Sequence, residues 1–298
     1  SKEKQFLKKY KPWGIILFSR NIKSITQTKK LTDDIRRVFN DKKYPILIDQ
    51  EGGRVNRLNK LIESSIFTAE FFGNLYKKNK YKFYCYYKIY INQISYLLKE
   101  LGININTVPV LDVNRLKSNN IIGDRSYSSI PNNVSKIGDF CIEEFKKNGI
   151  ATIIKHIPGH GLAKVDSHKK TPIIKFKYRY LFKNDFSTFK NKKSFFAMTA
   201  HIIYKDIDPI NTATHSSKII NLIRKKIGFK NLIISDDISM KALKGNIKIN
   251  TLRAISAGCN LILHCNANYK EMRIVAENSP SVDSFIIKKT SQFYNFLS

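Results

Sequence analysis

Short β-branched runs recur along the chain at residues 13–18, 45–48, 103–108, 150–154, 195–199, 232–235 and 261–264, and each ends in polar or charged residues. Longer amphipathic stretches separate them. Before several runs stands a glycine at the point where a helix should stop, as in Leu101-Gly102-Ile103, Asn148-Gly149-Ile150, Ile227-Gly228-Phe229 and Ala257-Gly258-Cys259. That is the left-handed position after a helix C-terminus, which glycine takes without a Cβ penalty. Before Gly149 the spacing of Val134, Ile137, Phe140, Cys141 and Phe145 predicts a helix with one buried face, with Asn132 or Asn133 as its N-cap. Helix and buried strand alternating over the whole length predicts parallel strands joined by crossovers, because parallel neighbours cannot be linked by a tight hairpin.

An open doubly wound sheet and a closed (β/α)8 barrel both fit that alternation, and the strand ends choose between them. Asp49, Asp112, Lys155, His156, His201, Asp236 and His264 follow different runs, as expected if all converge on the C-terminal rim of a barrel. An open sheet would concentrate its chemistry at one switch point. Seven runs are present where a barrel needs eight, so the reading is a TIM-type barrel over a single domain, 1–298, with its first strand expected before Ser1. No linker interrupts the pattern.

Composition narrows the function. Fifty-three Lys and Arg against 23 Asp and Glu give a net charge of +30, while 42% hydrophobic residues leave ample material for a core. The positive residues are mostly lysines scattered from end to end, accompanied by an excess of Ile, Asn, Tyr and Phe. A nucleic-acid site would instead cluster arginines among exposed aromatics, so no nucleic-acid partner is expected. Cys85, Cys141, Cys259 and Cys265 form no CxxC pair and read as buried thiols of a reducing compartment. No apolar run approaches the roughly 18 residues of a membrane span, and the basic start lacks a signal-peptide core. A cytoplasmic protein without a membrane partner, and a monomer, is the expectation.

Three segments can carry chemistry. Lys155-His156-Ile157-Pro158-Gly159-His160-Gly161, with Asp166-Ser167-His168 close behind, holds half of the six histidines on a strand end and a glycine-rich turn. Asp166 and His168 are two apart, on one side of an extended chain, where a carboxylate favours the protonated imidazole and makes it a plausible general acid. A polar loop with incidental histidines is the bland alternative. His156, His160, Asp166 and His168 could also be zinc ligands, but Pro158 and Gly159 disfavour the helix that would align the first two.

The second segment is Ser235-Asp236-Asp237, which closes the apolar run before it. Two acids there are costly to desolvate without partners, so one is expected to be functional and the other, Asp237, to cap the next helix. The third is Asp49-Gln50-Glu51-Gly52-Gly53-Arg54-Val55-Asn56-Arg57, in which Glu51 and Arg54 could clasp each other and leave Asp49 and Arg57 for a polar ligand. Gly123-Asp124-Arg125-Ser126 adds a further loop arginine.

Together with Trp13-Gly14-Ile15-Ile16-Leu17-Phe18-Ser19-Arg20-Asn21, Pro109-Val110-Leu111-Asp112-Val113, Met198-Thr199-Ala200-His201 and Leu263-His264-Cys265-Asn266, these segments resemble family 3 glycoside hydrolases, specifically compact bacterial β-N-acetylhexosaminidases of peptidoglycan recycling. The resemblance runs over nearly the whole chain. It implies a single barrel, a nucleophile at Asp236, an acid/base at His168 oriented by Asp166, and sugar-holding residues at Asp49, Arg57, Arg125, Lys155 and His156. A retaining mechanism follows, with a histidine where a second carboxylate is usual. The implied substrate is a small muropeptide or disaccharide bearing terminal β-linked GlcNAc, such as GlcNAc on 1,6-anhydro-N-acetylmuramic acid, and neither cofactor nor metal is implied. Asn260 departs from the family's usual aspartate, away from this chemistry. Phosphorolysis is a rival, because a histidine acid/base would not repel phosphate; a non-catalytic basic binding protein is another.

Overall fold

A computed structural model describes residues 2–115, 121–167 and 169–298. The helices are α1 (Lys2–Tyr10), α2 (Ile25–Phe39), α3 (Ala69–Lys78), α4 (Lys80–Glu100), α5 (Pro131–Lys147), α6 (Tyr178–Asn184), α7 (Ser217–Leu222), α8 (Ile247–Ala257), α9 (Tyr269–Asn278) and α10 (Ser284–Phe296). Between them lie β1 (Ile15–Leu17), β2 (Ile46–Ile48), β3 (Ile105–Asn106), β4 (Ala151–Ile157), β5 (Ile173–Ile174), β6 (Phe196–Thr199), β7 (Ile203–Tyr204) and β8 (Leu232–Ile234). Six of these pair in parallel in the order β1-β2-β3-β4-β6-β8, and β5 with β7 forms a separate ribbon.

Six of the seven expected runs are therefore strands. The seventh contributes a single parallel bridge, Ile234 to Leu261. Among the described residues no ladder joins that end to β1, so what they form is a curled parallel sheet and not a closed eight-stranded barrel. The β5–β7 ribbon was not expected, because two residues per strand leave no periodicity to read.

Alternation along each strand divides the apolar residues between two cores. Leu17, Ile46, Ile48, Ile154, Ala197 and Ile233 face outward into a large core shared with the helices. Leu47, Ile105, Ala151, Ile153, Phe196, Met198, Leu232 and Ile234 face inward and meet in a second core, which the curl of the sheet alone makes possible. Ile286 and Phe293 of α10 join this inner core. Phe293 stacks edge-on against Phe196 at 5.4 Å, and the Trp13 indole N–H donates to Thr290 at 2.9 Å. Since Trp13 precedes β1 and Phe196 opens β6, α10 covers the inner core from the N-terminal ends of the strands.

All four helix-stopping glycines, Gly102, Gly149, Gly228 and Gly258, have positive φ as expected. The cap before Gly149 differs from expectation. Helix α5 starts with Pro131 at its first turn and Ile130 at the cap, so neither Asn132 nor Asn133 caps it. Proline's fixed φ and missing N–H make it a better first residue than the asparagines. Cys141 and Cys259 are buried, whereas Cys85 and Cys265 are partly exposed. No helix among the described residues is long and apolar enough to cross a membrane.

Candidate active site

The inward alternation that fills the core with Leu47, Ile105, Ile153 and Ile234 continues two residues further to Asp49, Thr107, Lys155 and Asp236. The same geometry that builds the apolar layer thus lays a polar layer on its C-terminal side. Lys155 Nζ donates to Thr107 Oγ1 at 2.8 Å and lies 3.2 Å from Asp49 Oδ1 and 2.6 Å from Glu51 Oε1. Thr107 also donates to Asp49, and Arg57 approaches the other Asp49 oxygen at 3.4 Å. Arg125 grips Glu51 with two parallel bonds of 2.7 Å each. Burial pushes both carboxyls up, yet Lys155 and Arg57 at Asp49, and Arg125 and Lys155 at Glu51, outweigh it and hold them below the usual range. The expected Glu51–Arg54 clasp does not form. Arg54 pairs instead with Asp124 at 3.1 Å and with the Ile121 carbonyl at 2.6 Å, because the turn through Gly52 and Gly53 carries it outward while Glu51 points in.

Beside this layer Asp112, fully buried, organises the next strand end. Its carboxylate accepts from the His156 ring Nδ1 at 2.7 Å, from the His156 backbone N–H at 3.3 Å and from the His160 backbone N–H at 2.6 Å. A carboxylate can only accept, so Nδ1 of His156 carries a proton and Nε2 is left for other partners. Burial raises the Asp112 carboxyl, and His156 and His160 more than reverse it. The turn that follows runs hard against its neighbours. A Cβ at Gly161 would stand 2.1 Å from the Val113 carbonyl oxygen, so only glycine fits. Burial, and then His156, lower the His160 imidazole to about 4, which keeps it neutral.

Asp236 follows β8 and faces the same cavity. Burial raises its carboxyl, but His201 and His156 together with the Asp237 N–H, which donates to it at 2.8 Å, hold it below the usual range. Asp237 does other work than expected. It accepts from Ser239 N–H at 3.0 Å, Ser239 Oγ at 2.7 Å and Cys265 N–H at 3.2 Å, so it fixes the turn and ties it to the next run, while Asn246 caps the following helix α8. His201 Nε2 donates to the Asp237 carbonyl at 2.9 Å, and its Nδ1 accepts from Thr214 at 2.7 Å.

These groups surround a cavity of about 730 Å³, within the usual range for small-ligand sites. Asp49, Arg57, Arg125, Lys155, His156, Asp166 and Asp236 all line it. His168 lies outside the described residues. His264 does not converge with the others, since its Nε2 pairs with Glu271 at 2.9 Å. Asp112 acts from beneath the cavity. Among the described residues no three His, Cys, Asp or Glu side chains gather as a metal site would require. Thr107 has no role in the sequence reading, although the inward alternation points to it; Glu51 was expected to clasp Arg54, Asp112 to end on the rim and His160 to be a candidate zinc ligand, and the partners they have instead depend on contacts between segments distant in sequence.

The chain is 32% identical to a protein named β-hexosaminidase from Psychromonas ingrahamii, over 99% of this chain and 85% of that protein. It is 34% identical to another of that name from Haemophilus ducreyi, over 85% of this chain and 74% of that protein. Among solved structures, native NagZ from Neisseria gonorrhoeae superposes with a TM-score of 0.86 at 26% identity, covering all of this chain and 86% of the other. Residues 1–289 match the glycosyl hydrolase family 3 N-terminal domain. With the family's sequence pattern spanning nearly the whole chain and relatives of that name matching over most of their own length, the protein belongs to glycosyl hydrolase family 3 and is a glycoside hydrolase.

Proposed function

We propose that residues 1–298 form one catalytic unit, a retaining β-N-acetylhexosaminidase that releases terminal β-linked GlcNAc from peptidoglycan fragments, GlcNAc-1,6-anhydro-N-acetylmuramic acid with or without its peptide. The observation that carries this reading is Asp236, a half-buried carboxylate at the cavity held below the usual carboxyl range by its surroundings, in a chain whose relatives are named β-hexosaminidases. An ionised carboxylate is what covalent catalysis at an anomeric carbon needs.

In the first step an Asp236 oxygen bonds to the anomeric carbon as the glycosidic C–O bond breaks, and the departing oxygen takes a proton from His168, which Asp166 orients. In the second, water attacks the same carbon and gives its proton to His168, and the ester bond to Asp236 breaks with its electron pair returning to the carboxylate. Asp49, Arg57, Arg125, Lys155 and His156 hold the sugar through its hydroxyl and acetamido groups. Lys155 and Arg125 are already gripped by Asp49 and Glu51, so their donors stay in place without the sugar.

The test is chromophore release from an aryl β-N-acetylglucosaminide by the wild-type protein and by Asp236→Ala at matched folding, with and without phosphate and a chelator. Turnover that survives chelation, needs no phosphate and falls at least about 10³-fold in the variant is expected. A phosphate requirement with a sugar 1-phosphate product would make the protein a phosphorylase instead, and undiminished turnover by the variant would remove Asp236 from the reaction.

A further inference from the structure

The stretch that follows the glycine turn is tied to two other parts of the site at one residue. Ser167, 4% exposed, places its hydroxyl 3.3 Å from Nε2 of His160, and its carbonyl accepts the Ala242 N–H at 3.0 Å. Four residues on, Thr171 Oγ1 donates to the Ala242 carbonyl at 2.7 Å. Ala242 belongs to the turn that begins at Asp236. His160 is anchored in turn, because its backbone N–H is held by Asp112 at 2.6 Å. The segment carrying Asp166 and Ser167 is thus clamped on one side to the Asp112 platform and on the other to the loop of the proposed nucleophile.

His160 has the properties of one half of such a latch. It is 4% exposed, it borders the cavity, and among the described residues Nδ1 has no hydrogen-bond partner. A buried imidazole with one ring nitrogen unpaired is costly, and the hydrogen bond its ring does make is the one between Nε2 and Ser167. Ser167 immediately precedes His168 in the chain. The geometry points to His160 and Ser167 as positioning residues that seat the acid/base segment against the Asp236 loop, an inference that rests on the proposed function.

A latch of this kind acts on proton transfer and not on nucleophilic attack, and leaving-group dependence separates the two. An aglycone such as phenol needs a proton as it departs, whereas 2,4-dinitrophenol leaves without one. Ser167→Ala and His160→Ala are each expected to lower kcat/KM for the phenyl β-N-acetylglucosaminide by about 100-fold, the scale of general acid catalysis, and for the dinitrophenyl glycoside by less than about 5-fold. Azide, an anionic nucleophile from which no proton need be removed, should accelerate dinitrophenyl turnover by the variants and yield the glycosyl azide, with no acceleration of the wild type. Ser167→Thr should restore the phenyl activity.

Thermal melts establish matched folding. Should Ser167→Ala not fold, Thr171→Val releases the other clamp from a side chain outside the cavity and is expected to show the same pattern at smaller size. Equal losses on both substrates, or no azide effect, overturn the latch while leaving the hydrolase in place. Wild-type protein that turns over neither glycoside overturns the hydrolase reading itself, and the latch with it.

Discussion

Replacing Asp112 by Asn tests whether the site is held from beneath. The side chain keeps its shape but loses its charge, and one of its two oxygens becomes an NH₂ group. Asp112 accepts from three buried N–H groups, two on the backbone and one on the His156 ring. Asparagine's single oxygen suits the short bond from the His160 N–H, which turns its NH₂ toward His156 Nδ1. Two donors then face each other unless His156 moves its proton to Nε2, which reverses the polarity of the ring edge left for other partners. Charge-assisted bonds of this type contribute about 1.5–3 kcal/mol each against about 0.5–1.5 for neutral ones; the remaining oxygen keeps both backbone donors, now in neutral bonds, and the ring bond is lost, so a loss of about 3 kcal/mol in stability is expected. At this chain length that corresponds to a Tm drop of roughly 6–12 °C. The Asp112 carboxyl sits below its ordinary range in the folded protein, so its stabilisation is present above about pH 4 and is lost as pH falls through the folded value. The gap in Tm between wild type and variant should therefore close on the acid side. Turnover of an aryl β-N-acetylglucosaminide should fall about 100-fold, with the variant compared below its own melting range. A variant that melts with the wild type refutes the anchoring role. One that melts early but keeps wild-type turnover refutes the claim that Asp112 sets the working tautomer of His156.

Two further predictions concern groups outside the chemistry. Burial raises the Asp185 carboxyl to about 7, with Arg115 opposing at 4.0 Å, and among the described residues neither of its oxygens has a hydrogen-bond partner. The folded state therefore binds this proton more tightly than the unfolded chain, so wild-type stability should decline between about pH 4 and pH 7 from this group, and Asp185→Asn should flatten that stretch of the profile in denaturant titrations; an unchanged profile would remove Asp185 from the account. Phe293→Ala empties the inner core where α10 covers it and should cost about 3–5 kcal/mol in urea unfolding, with KM and kcat unaltered below the melting range, since Phe293 lies at the opposite end of the strands from the cavity. A small loss would mean that α10 is not what completes this core.

The amino-acid pattern by itself determined the strand runs, the glycine stops and the parallel order, because alternation and positive-φ glycine are local properties of a few consecutive residues. The run ends brought Asp49, Lys155, His156 and Asp236 to the rim, and these line the cavity, whereas Asp112, His201 and His264, placed there on the same ground, do not; Asp49, Lys155 and Asp236 extend the inward apolar series 47, 153 and 234 by one more step of two. What the pattern did not contain is pairing across the site. Glu51 could have met Arg54 three residues away, and local spacing favours that choice. The curl of the sheet brings Arg125 and Lys155 to Glu51 instead, and a bidentate buried pair is stronger than an exposed clasp. Asp237 looked like a helix cap because two-residue reach is all that sequence shows, while its third partner, the Cys265 N–H, arrives from a different run. Asp112 reads as a rim residue and His160 as a candidate zinc ligand, and that one holds the other emerges only when the turn through Gly161 packs against Val113 and brings their groups together. Nor could hydrophobic spacing tell that α10 would close the inner core, for its buried face is amphipathic like any other helix and only the open ends of the strands decide where it docks. Local conformation and facing follow from the chain's own periodicity. The partners of each buried charge depend on desolvation in a common interior, which exists only once the sheet has curled.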